Sequence, residues 1–78
     1  MPREKSDSSP RLLGRPELQV TVLIARGHTN RQIAAELVIS ERTVGTHVEH
    51  ILAKLGVASR AQIAVWAVER GVARVAPN

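Results

Sequence analysis

Arg42, Thr46 and Glu49 stand four and three residues apart, the intervals at which side chains stack along one face of an α-helix. Their chemistry suits the edges of DNA bases. A guanidinium donates in a fork that matches guanine O6 and N7, a threonine offers a hydroxyl and a thymine-sized methyl contact, and a carboxylate accepts from cytosine N4. Phosphates repel a carboxylate, so the plain alternative for Glu49 is a solvated surface glutamate. Gly45 lies among the three. Inside a helix glycine costs about 1 kcal/mol relative to alanine, so it is either a neutral loss or a point where backbone comes close to a ligand. Thr43, His50 and Lys54 flank this face and can meet phosphate oxygens. Thr29, Asn30 and Arg31 open a preceding helical segment, where free backbone N–H groups and the helix dipole favour an anion. Phosphate contacts fix position, whereas base contacts give specificity.

Other chemistry is poorly supplied. His47 and His50 are three residues apart and could share a metal, but their face carries no third ligand. Surface histidines are the simpler reading. There is no cysteine to act as nucleophile, thiolate ligand or disulfide, no glycine-rich phosphate loop after a strand, and no core large enough to enclose a tuned carboxylate. Catalysis is excluded on these grounds, and neither a cofactor nor a metal is expected.

The elements that position these residues are helices. Gly27, Gly56 and Gly71 each follow an apolar-periodic stretch and suit the left-handed residue that ends a helix. Thr29-x-x-Gln32 and Ser59-x-x-Gln62 match the capping box, and Ser40 can cap a third start alone. Pro16 suits a first turn, although Gly14 is a poorer cap than serine or threonine. Helices are therefore expected at about 15–26, 30–37, 41–55 and 60–70. The fold class is all-α, a four-helix bundle. Placing 100° on each residue of the third helix gathers Val44, Val48, Ile51, Leu52 and Leu55 into an inner stripe. The opposite arc holds Arg42, Gly45, Thr46, Glu49 and Ala53. A short helix over 30–37 with Ile33, Ala34 and Leu37 inward, a corner and this longer helix make a helix-turn-helix, whose second helix fits the roughly 12 Å major groove of B-DNA.

The fourth helix is apolar on two arcs. Ile63, Trp66 and Ala67 have the bulk for a core, while Ala61, Val65 and Val68, with Ala64 towards them, form a flatter face open to a second copy of the chain. Self-association is assigned to that face.

The chain has 78 residues and a formal charge of +4, with a pI near 11.2. One small domain of this size buries only about 60% of its unfolded surface, and Trp66 is its single aromatic residue. The charge suggests an anionic partner, but Arg3, Lys5, Arg11 and Arg15 against Glu4 and Asp7 place +2 of it in the first fifteen residues. Residues 1–11, polar and rich in serine and proline, are expected to be a disordered basic linker or tail, 12–73 the folded domain and 74–78 a C-terminal tail. No apolar run approaches the roughly 20 residues of a membrane span, and the N-terminus lacks a signal peptide's apolar segment. A soluble, cytoplasmic chain is expected.

Several linked motifs carry a family resemblance. LIARG at 23–27, TNRQIAAEL at 29–37, ISERTV at 39–44, KLGV at 54–57 and SRAQIA at 59–64 resemble the LuxR-type domain of bacterial transcription regulators, over roughly 13–72 without an insertion. The resemblance implies sequence-specific major-groove binding and homodimerisation through the last helix onto inverted or direct half-sites. It also implies a longer parent with an upstream sensory or regulatory domain. This chain departs from the family's usual pattern in having Gly14 and Pro16 where threonine and arginine open the first helix, Thr21 at an apolar position, and Gly45 where lysine often follows the threonine–valine pair. The expected function is that of a DNA-binding output domain. The near-neutral outer face keeps open an alternative, a helical interaction or dimerisation module that binds DNA weakly.

Overall fold

The computed structural model describes residues 13–72 as four helices: α1 (Arg15–Ala25), α2 (Asn30–Leu37), α3 (Glu41–Leu55) and α4 (Arg60–Glu69). The expected tails at 1–11 and 74–78, and the outer limits of the expected domain, lie outside the described residues. Three of the four helices, α2, α3 and α4, begin where a side chain satisfies an orphan N–H group. Thr29 Oγ1 accepts from the Gln32 N–H at 3.1 Å while Gln32 Oε1 accepts from the Thr29 N–H at 2.8 Å. Ser59 and Gln62 repeat the exchange at 3.3 and 3.0 Å, and Ser40 Oγ caps the Thr43 N–H at 3.0 Å. Gly14 has no side chain to offer α1, yet its own N–H donates to Glu17 Oε1 at 2.9 Å. Half a capping box is thereby made without a capping side chain.

All four helices end the same way. The N–H of His28, Ile39, Val57 and Val72 reaches back to the carbonyl of Leu23, Ala34, Leu52 and Ala67 respectively, at 2.9–3.1 Å, the six-residue closure of the Schellman motif. The motif needs a left-handed residue just before each of those N–H groups. Gly27, Gly56 and Gly71 provide it as the sequence predicts, but at the end of α2 the position belongs to Val38, at φ 57°. The closing turns also trim α1 and α4 to Ala25 and Glu69, one residue shorter each than expected, because Arg26 and Arg70 already leave helical geometry at ψ 3° and 1°.

The bundle closes around Val20, Ile33, Val44, Ile51 and Ile63, all fully buried, with Leu23, Ile24, Ala34, Trp66 and Ala67 beside them. The inner stripe of α3 is the expected one: Val44 and Ile51 are buried, and Val48, Leu52 and Leu55 pack partly against the core. α1 packs on α3 and α4, and α2 lies mainly on α3. Truncating any buried isoleucine to alanine costs about 2–5 kcal/mol, comparable with the whole stability of a small domain. Thr21, fully buried, is accommodated inside α1 because its Oγ1 donates to the Glu17 carbonyl at 2.9 Å. Among the described residues no single helix is long and apolar enough to cross a membrane.

Candidate nucleic-acid interface

With Val44 and Ile51 turned into the core, the 3.6-residue period forces Arg42, Thr46 and Glu49 to the opposite side of α3, and all three are exposed. The structure brings these three predicted residues onto one face. Gly45 sits between them, and a Cβ built there would meet no atom within 4 Å. Nothing within the fold demands glycine at this place. Thr46 Oγ1 donates to the Arg42 carbonyl at 3.2 Å, so its proton is engaged and its lone pairs and methyl are what it presents outward.

The flanking residues divide into two kinds. At the start of α3, Ser40 Oγ accepts the Thr43 N–H, so the Ser40 proton goes to Thr43 Oγ1 at 2.9 Å and leaves the exposed Thr43 hydroxyl its own proton to donate. Arg31 is exposed at the opening of α2, beside the Thr29 cap. Both side chains are exposed hydrogen-bond donors. Asn30, by contrast, is held by α4: its Oδ1 accepts from Arg60 Nη1 at 2.6 Å.

His50 and Lys54 are engaged too, and here sequence reasoning missed the partner. Lys54 Nζ lies 2.7 Å from Glu17 Oε1, and His50 Nδ1 lies 3.8 Å from Glu17 Oε2. Lys54 remains 44% exposed while the Glu17 side chain is only 10% exposed, so a nearly buried carboxylate is neutralised by a cation that still touches water. Burial pushes the Glu17 carboxyl up, but hydrogen bonds from Lys54 and the Gly14 N–H, with the charges of Lys54 and His50, outweigh it and hold the carboxyl below its ordinary value of 4.5. The Gly14-x-x-Glu17 spacing gave a local hint of the role at the helix start. Nothing local pointed to Lys54, 37 residues away. The same applies to Arg60, 30 residues from Asn30.

On α4 the two apolar arcs separate as expected: Ile63, Trp66 and Ala67 are buried, Val65 and Val68 are 55% and 65% exposed, Ala61 is exposed and Ala64 partly buried. Arg70 lies over the Trp66 ring, 5.7 Å from its centroid.

A capped crossing helix, a tight left-handed corner and a longer helix with a polar outward face define a helix-turn-helix DNA-binding domain. The family profile of bacterial regulatory proteins of the luxR family matches residues 11–67, and the chain belongs to that family. It is a DNA-binding domain of a transcription regulator, and the family is one of regulators rather than enzymes. The chain is 54% identical over 57 residues to the uncharacterised transcriptional regulatory protein YhcZ of Bacillus subtilis, covering 73% of this chain and 27% of that protein. It is 49% identical over 55 residues to the transcriptional regulatory protein LiaR of the same organism, covering 70% and 26%. To the oxygen regulatory protein NreC of Staphylococcus aureus it is 37% identical over 60 residues, covering 77% and 28%. The matched region thus spans about a quarter of the length of these relatives. The alternative of an interaction module with weak DNA binding is not favoured by this kinship.

Proposed function

We propose that the chain binds double-stranded DNA sequence-specifically, with α3 in the major groove, as the output domain of a longer cytoplasmic regulator bearing an upstream sensory or regulatory domain. The observation that carries this reading is the outer face of α3, where Arg42, Thr46 and Glu49 are exposed together around a glycine that the fold itself does not need. Arg42, Gly45, Thr46 and Glu49 contact bases. Thr29, Asn30, Arg31, Thr43, His50 and Lys54 contact phosphates, the last two while sharing Glu17. A homodimer forms through Ala61, Ala64, Val65 and Val68, supported by the exposure of both valines on a helix whose other arc is fully committed to the core.

Selection of bound sequences from a random duplex library tests the specificity. An enriched motif is expected, with affinity that falls steeply as salt rises; unenriched pools would overturn it. For the dimer, sedimentation with DNA should show two chains per site, and a strict monomer at high concentration would remove that part.

A further inference from the structure

Arg60 occupies the first turn of α4, the end of a helix where the macrodipole disfavours a cation. Its place is explained by what it holds. The guanidinium spans from α4 to the opening of α2, with Nη1 donating to Asn30 Oδ1 at 2.6 Å and Nη2 donating to the His28 carbonyl at 2.8 Å. Two donors of one rigid plane fix both acceptors. A guanidinium has no acceptor, so the amide atom facing Arg60 must be the oxygen. The Asn30 NH2, with two donors, is therefore turned away from Arg60, on a side chain that is only half-buried.

We infer that Arg60 is a positioning residue for DNA: by binding Asn30 Oδ1 it aims the Asn30 amide nitrogen at a backbone phosphate. The inference rests on the DNA reading above. It gives α4 a part in DNA contact without touching DNA, because the helix assigned to pairing also sets the orientation of a donor on α2.

The test uses the 78-residue chain, a labelled random-sequence duplex and a salt titration, since phosphate contact is independent of sequence. Asn30→Asp keeps an acceptor for Arg60 but turns an anionic oxygen where the NH2 was. It should melt at or above the parent temperature and bind about tenfold more weakly. Arg60→Ala should weaken binding about three- to tenfold with the salt slope unchanged, and should add nothing to Asn30→Ala when the two are combined. A salt slope reduced by roughly one phosphate in Arg60→Ala would show that Arg60 itself touches DNA, overturning the positioning role. Equal losses from Arg60→Ala with and without Asn30, or parental binding by Asn30→Asp, would overturn it as well. Failure of the parent chain to bind any duplex salt-dependently is a different result, which removes the DNA reading and this inference together.

Discussion

Lys54 in the last turn of α3 and Glu17 in the first turn of α1 are joined by a 2.7 Å ion pair, so a cation on α3 clamps that helix to α1. Lys54→Ala strips the nearest cation from a carboxylate that is 10% exposed, leaving it the Gly14 N–H and the more distant His50. Unfolding free energy should fall by about 1–3 kcal/mol, measured by urea titration with Trp66 fluorescence. DNA affinity should fall alike for every sequence. An unaltered urea midpoint would show that the pair contributes nothing to the fold.

Acid should find the same pair. Because the folded Glu17 carboxyl is held below 4.5, the native chain binds fewer protons than the unfolded chain as the pH falls. Its contribution is complete above about pH 5 and is lost as the pH drops through the folded-state value. Glu17→Gln, which carries no titrating group there, should show a flatter stability profile across that window in urea melts at successive pH values. Identical acid sensitivity in both chains would assign the loss to other carboxylates.

Thr46 is expected to read one base position. Its proton is occupied by the Arg42 carbonyl, so it serves as an acceptor and a methyl contact. Thr46→Ala should cost about 1–3 kcal/mol on the preferred site and flatten preference at a single position in a binding-site selection. A uniform loss across all sequences would place Thr46 on the backbone instead.

Val38 stands at φ 57° and ψ 52°, where a β-branched side chain is strained by about 1–2 kcal/mol. It is 87% exposed, so its removal sacrifices little packing. Val38→Gly relieves the strain, and although glycine adds freedom to the unfolded chain, a net gain of about 0.5–1 kcal/mol should appear in thermal unfolding. A lower melting temperature would mean the side chain is needed where it stands.

The helix starts were legible because their signals are local: Thr29 with Gln32 and Ser59 with Gln62 interact across three residues, a separation that the helix geometry alone determines. The inner and outer faces of α3 were legible from period alone. Val38 was not, since nothing in a valine announces a left-handed turn; the Schellman closure imposes it because Ile39 must reach Ala34. Glu17 with Lys54 and Asn30 with Arg60 were hidden for another reason. Those contacts depend on how whole helices pack, and a charged residue read in isolation shows only its own helix face.

The division of α3 has an evolutionary consequence. Val44 and Ile51 hold the bundle while Arg42, Gly45, Thr46 and Glu49 lie outside the core, so the residues proposed to read an operator and those that hold the fold occupy one helix without overlapping. Exposed substitutions away from such supports usually change stability by no more than about 0.5 kcal/mol. A lineage can therefore drift to new target sites one residue at a time, each intermediate remaining folded while its regulatory address is rewritten.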